Sequence, residues 1–109
     1  MKTVKIAVAL KRLKKINDEI HYLSCFEQKQ FTSGLIAFKP AQKPNPKQIS
    51  HDDQDVICQV LQGSGRLRIG GRRIRLVPGT LCHIPKRTPH DFAAARSGKL
   101  VLFYLLIKT

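Results

Sequence analysis

The sequence contains no tryptophan, few carboxylates and only three cysteines. Cys25, Cys58 and Cys82 are odd in number and widely spaced, and they include no CxxC pair, which argues against a disulfide framework and a zinc ribbon. No uninterrupted apolar run approaches the roughly 20 residues that span a bilayer. We therefore expect a cytoplasmic protein without membrane spans, and the charged N-terminal stretch does not predict a signal peptide.

Negative charge is scarce as well. Seven Asp and Glu residues stand against 20 Lys and Arg, which gives a formal net charge of +13. Such an excess attracts polyanions at low salt. Charge alone does not separate a solvated, self-repelling surface from one that meets an anionic partner, so both interpretations stay open at this point.

Short apolar runs separated by glycine and proline are the dominant pattern in these 109 residues, which are enough for one domain with its own core. A polar connection is expected at 27–34, a loop or single turn at 11–18, and a surface loop with three prolines at 39–50. The predicted strands are 3–10, 19–26, 35–38, 56–61 and 99–107.

A hairpin is predicted at 66–76 around Gly70-Gly71, because two adjacent glycines tolerate the positive φ angles of hairpin turns. Pairing outward from this turn places Leu67 opposite Ile74, Arg68 opposite Arg73, and Arg66 opposite Arg75. Like charges directly opposite one another destabilise a sheet. The arginine-bearing side therefore lies in water with counterions, or it meets an anion such as nucleic acid, a phosphorylated ligand or an acidic partner.

The last predicted strand, 99–107, is almost continuously apolar, which is typical of a strand covered on both faces. One cover is the interior of the fold. The other is expected to be the N-terminal strand or a second subunit, so we predict a homodimer. About eight short strands without a convincing helix or repeat indicate an all-β barrel or sandwich.

The stretch from Gly79 to Phe92 carries the most specific pattern. Gly79, Pro85 and His90 have the spacing of the second motif of the cupins, a family of small jelly-roll barrels, and residues 34–107 resemble that family. In this motif a glycine normally stands where the chain has Arg87, and an asparagine where it has Ala94. The resemblance implies a single cupin domain, 1–109, with the barrel at about 34–107 and N-terminal strands within 3–26.

The first cupin motif is matched in part. Anchoring it on Gly63 puts Val56 at the position of the family's glutamate and His51 at that of its second histidine. Asp53 and Asp55 are the carboxylates that could replace the glutamate. If Val56 faces the interior, alternation turns Asp55 outward and Gln54 inward, unless a bulge resets the register.

The resemblance implies a divalent metal, namely iron, manganese, nickel, copper or zinc, which cupins hold inside the barrel with three histidines and a glutamate. Some members use it for oxygenase, isomerase or decarboxylase chemistry, and others have lost it. Our first hypothesis is a metal-binding cupin of unassigned substrate, with enzymatic activity left open. The candidate metal ligands are His51, His90, Asp53 and Asp55.

Two further hypotheses remain. A metal-free cupin would bind a small anionic ligand at the barrel mouth, and a nucleic-acid-associated protein would use the arginines of the 66–76 hairpin, although aromatic residues for base stacking amount to 6% of the chain. His83 could act as a base or an extra ligand, or simply lie on an outer face. The candidate ligand-binding residues are His83, Arg87, Lys86 and Gln54, and the structural motif residues are Gly79, Pro85 and Gly63.

Overall fold

The computed structural model describes residues 1–40, 50–96 and 98–109, which form two antiparallel sheets around one core. A short helix precedes the strands. The elements are α1 (Ile6–Ala9), a 3-10 turn (Leu10–Arg12), β1 (Lys14–Lys15), β2 (Ile20–Glu27), β3 (Phe31–Phe38), β4 (Gln54–Gly63), β5 (Gly65–Ile69), β6 (Arg72–Leu76), β7 (Leu81–Ile84), β8 (His90–Ala94) and β9 (Leu100–Lys108).

The larger sheet has the strand order β1-β2-β3-β9-β4-β7, and the smaller sheet has the order β6-β5-β8. Every strand pair in both sheets is antiparallel. The all-β prediction is confirmed. In the described part of the chain, no helix is long and apolar enough to cross a bilayer.

The core lies between the two sheets and follows the alternation of their strands. On β4, Val56, Cys58 and Val60 are buried, whereas Ile57 and Gln59 are exposed. This confirms the inward face predicted for that strand. The buried cluster between the sheets consists of Phe38, Val56, Cys58, Val60, Leu67, Leu76, Ile84, Leu100 and Leu102.

The strand β9 lies in the middle of the larger sheet, between β3 and β4. Leu100 and Leu102 point into the core between the sheets. On its opposite face, Phe103 packs against a second cluster that includes Ala9 and Leu35. The prediction of a strand covered on both faces holds for Leu100 to Leu102, which are buried, whereas the residues from Phe103 to Ile107 are half-buried. The N-terminal segment is part of the outer cover.

That cover is not the strand predicted at 3–10, and the prediction was wrong. The chain forms α1 and a 3-10 turn there, with the amide of Ala9 donating to the carbonyl of Lys5 at 3.0 Å. Ile6 and Val8, which a half-buried strand would have buried, are 46% and 48% exposed. The segment lies across the outer face of the larger sheet, where Ala9 packs against Cys25 and Leu35. Because it lies on the face and not along an edge, no strand is available to pair with it.

The hairpin between β5 and β6 has the predicted register, residue for residue. Gly70 and Gly71 have φ angles of 56° and 73°, as a two-residue turn with two left-handed positions requires. The loop predicted at 27–34 is shorter, because the amide of Gln28 bonds to the carbonyl of Phe31 at 2.8 Å and β3 starts at once. Most of the predicted loop 39–50 lies outside the described residues.

Candidate functional site

The strand β8 begins with His90, whose side chain lies inside the barrel and is 5% exposed in the folded chain. Its Nδ1 lies 2.8 Å from the carbonyl oxygen of Thr88. A carbonyl can only accept, so Nδ1 carries the proton and donates. The neutral ring then keeps Nε2 as a free acceptor, which is the form of imidazole that binds a metal or takes a proton.

His51 lies just before β4, and the fold brings it beside His90. The two ring centroids are 5.9 Å apart, with an angle of 37° between the planes. Phe92, two residues along β8, meets His90 edge to face at 5.9 Å and packs on Phe38 at 5.3 Å. His51 and His90, which we call the histidine pair, thus border the aromatic end of the core that Phe38 and Phe92 form.

The surroundings of His90 favour its neutral form. Burial lowers the pKa of His90 below the ordinary value for histidine, and the positive charge that His51 can carry lowers it further. The carbonyl of Thr88 and the carboxylate of Asp91 act in the opposite direction and are outweighed. At neutral pH the ring is therefore uncharged.

The two candidate carboxylates do not join the histidine pair. Asp55 lies on the outer side of β4, where its Oδ1 accepts from the amide of Lys86 at 2.9 Å and its Oδ2 lies 3.2 Å from Nε2 of His83. The Lys86 amide, followed by His83, holds the pKa of Asp55 below its usual range. Asp53 is exposed, and its carbonyl accepts from the amide of Thr109 at 3.1 Å.

The donor set is consequently small. Within residues 1–40, 50–96 and 98–109, no three His, Cys, Asp or Glu side chains are grouped closely enough to share a metal ion. The family's full set of three histidines and a glutamate is not reproduced by these residues. What fits an ion here is two imidazoles, one of which has its second nitrogen fixed by a carbonyl.

The remaining candidates differ in burial and in the face of the sheet on which they lie. Gln54 is half-buried and, by alternation along β4, shares the inner face of Val56. Lys86 is half-buried, and Arg87 is exposed. His83 is exposed on the outer side with Asp55, which agrees with the interpretation of His83 as a histidine on an outer face.

Arg87 has a φ angle of 63°, which makes it the single described residue other than glycine in the left-handed region. This is the motif position at which the resemblance implies glycine, and the backbone conformation explains the requirement. The strained turn is fastened to the histidine pair, because the amide of Arg87 donates to the carbonyl of His51 at 2.6 Å. The conformation thus links the loop before β8 to the loop before β4.

The three structural motif residues act through the backbone. Gly79 has a φ angle of 90°, and its amide bonds to the carbonyl of Val60 at 2.9 Å. Gly63 has a φ angle of 77°, and a Cβ there would lie 1.7 Å from the carbonyl oxygen of Lys99. Pro85 directly follows β7 and starts the turn toward β8.

Two arrangements were missed by sequence reasoning. Asp91 points away from the core, and its carboxylate pairs with both Arg66 and Arg68 of the neighbouring strand. The signal was present, since alternation along β8 turns Asp91 outward wherever His90 turns inward.

The second arrangement is a thiol pair, Cys58 directly opposite Cys82, in which a hydrogen bond lowers the pKa of Cys82 to about 7 and raises that of Cys58.

An open cavity of about 370 Å³ lies elsewhere, between the N-terminal segment and β2. Its lining includes Lys2, Lys5, Arg12 and Cys25, and it shares no residue with the histidine pair. The cavity therefore belongs to the outer cover of the larger sheet and not to the barrel mouth.

Comparison with known families places the fold. The family model described as "Cupin domain" matches residues 34–107, which is more than half of the chain. The chain therefore belongs to the cupin family, and the jelly-roll fold that the resemblance implied is confirmed. No curated protein matches the chain by sequence.

Solved structures agree on the fold at low sequence identity. KdgF from Halomonas sp. superposes with a TM-score of 0.74 at 20% identity, covering 89% of this chain and 88% of that one. A putative mannose-6-phosphate isomerase from Ralstonia eutropha JMP134 gives 0.75 at 17% identity, covering 89% and 92%. A protein from Thermus thermophilus gives 0.71 at 25% identity, covering 91% and 93%.

Proposed function

We propose that the chain is a metal-binding cupin whose site is the histidine pair, His51 and His90. The observation that carries the proposal is the convergence of these two rings, with centroids 5.9 Å apart, from the loop before β4 and from the first residue of β8. A divalent transition metal would use the free Nε2 of His90 and a ring nitrogen of His51. Water and the ligand would fill the remaining positions, because the described residues offer no third side chain.

The buried surroundings of His90 support this assignment. Metals bind the unprotonated imidazole, and burial lowers the pKa of His90, so the ring needs no proton loss at neutral pH. The hydrogen bond to Thr88 fixes the tautomer and the ring orientation, as outer partners of metal-binding histidines do. An ion held in this way would supply Lewis acidity to a small-molecule ligand.

A second candidate function is a metal-free site for a small anionic ligand. It is supported by the hydrogen bond from the Arg87 amide to the His51 carbonyl, which joins the backbone of a cationic residue to that of His51. Lys86 is its half-buried neighbour. Guanidinium and ammonium groups at the rim would attract a carboxylate or a phosphate.

Thermal unfolding with added metal tests the first proposal. Nitrogen donors prefer Ni²⁺, Cu²⁺ and Zn²⁺ over Mn²⁺, and Mg²⁺ prefers oxygen donors. We expect Ni²⁺ at about 100 times its Kd to stabilise the protein by about 2.7 kcal/mol, a rise in Tm on the order of 10 °C. Mg²⁺ should leave the Tm unchanged.

The variants His51→Ala and His90→Ala should each abolish the Ni²⁺ effect, while His83→Ala, which alters an exposed histidine on the outer side, should keep it. His51 is the more telling position, because its half-buried ring contributes less to the core than that of His90. A Ni²⁺ effect that survives in both variants contradicts the metal site. Stabilisation by inorganic phosphate that is lost in Arg87→Ala would support the second candidate instead.

A further inference from the structure

The outer side of the smaller sheet carries four arginines on two adjacent strands. Arg66 and Arg68 lie on β5, and Arg75 and Arg73 lie directly opposite them on β6. We call this set the arginine face. Directly opposed like charges destabilise a sheet. The fold keeps two such pairs side by side, so the face gives up stability that an anion would restore.

The sheet supplies one counterion, on one side only. Asp91 of β8 is 16% exposed at its side chain, and its carboxylate pairs with Arg66 at 3.4 Å and with Arg68. Arg73 and Arg75 are exposed on the edge strand β6. Over the ranges that the structure describes, no carboxylate lies within ion-pairing distance of either. The edge of the sheet therefore keeps its full positive charge.

We propose that the arginine face binds the phosphate backbone of a nucleic-acid duplex without reading its sequence. The backbone positions of the four arginines form an array, about 6.7 Å apart along a strand and about 4.8 Å apart between strands. Several cationic side chains on adjacent strands suit a polymer with repeated phosphates better than a single small anion. The guanidinium groups of Arg73 and Arg75, which pair with no carboxylate of the described residues, can each contact a phosphate through two parallel hydrogen bonds.

The composition of the face favours a duplex over a single strand. Surfaces that bind single strands without sequence preference stack the bases on aromatic rings. The neighbouring outward position on β8 is Ala93, and the aromatic ring of Phe92 points into the core. Because the outward positions described for the three strands of this sheet carry no aromatic ring to receive a base, contacts fall on the backbone alone.

The overall charge points to the same partner. The chain carries +13, and duplex DNA carries one negative charge per roughly 1.7 Å of its axis, each with condensed counterions. When arginines replace those counterions, the release of the counterions favours binding. The arginine face does not depend on the histidine pair, because His90 lies on the inner side of the smaller sheet and His51 lies outside that sheet. Either proposal can therefore fail alone.

The test is a fluorescence-anisotropy titration of a labelled DNA duplex at several salt concentrations, with unlabelled duplexes of unrelated sequence as competitors. Each phosphate contact contributes about −0.9 to the slope of log K against log salt. Arg73→Ala combined with Arg75→Ala should reduce the steepness of that slope by about 1.8. The same variant should weaken binding on the order of 100-fold at about 50 mM salt.

The matched control is Lys11→Ala combined with Lys14→Ala, which removes the same charge from exposed positions outside the smaller sheet. It should change the slope by much less than the arginine variant. Thermal unfolding of both variants checks that each is folded. Asp91→Asn, which removes the counterion, should strengthen binding and steepen the slope.

Three results would overturn the proposal. One is binding that does not change with salt. Another is an equal loss in the arginine variant and the lysine control, which would show that net charge and not the arginine face is responsible. The third is a protein that binds an acidic polypeptide of the same total charge and leaves the duplex unbound.

Discussion

The two faces of the smaller sheet differ in the side chains that they carry, and this difference is larger than any between its strands. The inner face carries Leu67, Phe92 and His90, which are packed in the barrel. The outer side carries the four arginines of the arginine face and Asp91. His90 and Asp91 are neighbours in sequence and belong to different sites. The period of a strand therefore lets one short segment serve a buried site and a charged surface at the same time.

The largest expected effect comes from breaking the inner face alone. Leu67 is 2% exposed, and Leu67→Ala should lower the free energy of unfolding by about 2–5 kcal/mol through lost burial and a cavity. Arg73→Ala, on the outer face one strand away, should change it by less than about 0.5 kcal/mol. Chemical denaturation of both variants measures the contrast, and similar losses would contradict the assigned sidedness of the sheet.

Removing the counterion of the outer face should have the next largest effect. Asp91→Asn leaves Arg66 and Arg68 close together without their shared carboxylate, and we expect a loss of about 1 kcal/mol at low salt. The loss should shrink in high salt, because screening weakens the repulsion that remains. Asp53→Asn is the control at an exposed position and should be silent. A loss that is the same at all salt concentrations would mean that packing, not charge, matters at Asp91.

Arg87 offers a smaller effect in the opposite direction. Its φ angle of 63° is costly for a residue with a side chain, so Arg87→Gly should raise the free energy of unfolding by about 0.5–1 kcal/mol. Arg87→Ala keeps the backbone cost while removing the guanidinium. Equilibrium unfolding should show a gain for glycine relative to alanine, and an equal stability of the two would contradict the strained turn.

The smallest expected effect is on the pH dependence of the free energy of unfolding, which should change with a substitution on the inner face and not with one on the outer face. Burial lowers the pKa of His90 in the folded chain, so the unfolded chain binds the proton more tightly. The contribution of His90 is present above the ordinary histidine value of about 6.5 and is lost as the pH falls from there through the lower folded value. His90→Gln should flatten the profile in that window, and Arg73→Ala should leave it unchanged. A profile equally steep in His90→Gln would contradict the buried neutral ring.

The sequence predicts this fold well wherever turns and periodicity are local. The Gly70-Gly71 turn fixes the register of β5 and β6 without information from the rest of the chain. It predicts poorly where tertiary contacts decide. In the segment 3–10, alternating apolar residues suit a strand, but the segment lies across a finished sheet and forms α1 instead.

The candidate site divides in the same way. The motif spacing identifies His90, and the structure brings His51 to it from a loop that precedes a different strand. The outward direction of Asp55 follows from alternation along β4. Its partners His83 and Lys86 come from the neighbouring strand β7 and the turn after it, and the pairing of these two strands is not encoded in any single stretch of sequence. The homodimer stays a prediction, since the outer cover of β9 includes the chain's own N-terminus.

Elemental analysis by plasma mass spectrometry tests the histidine pair most directly. The untagged protein would be loaded with Ni²⁺ or Zn²⁺, dialysed and compared with His51→Ala, His90→Ala and the outer-side control His83→Ala. The account predicts close to one bound metal ion per chain in the wild type and in His83→Ala, and none in the other two variants. Equal metal content in all four proteins, or no retained metal in any of them, would contradict it.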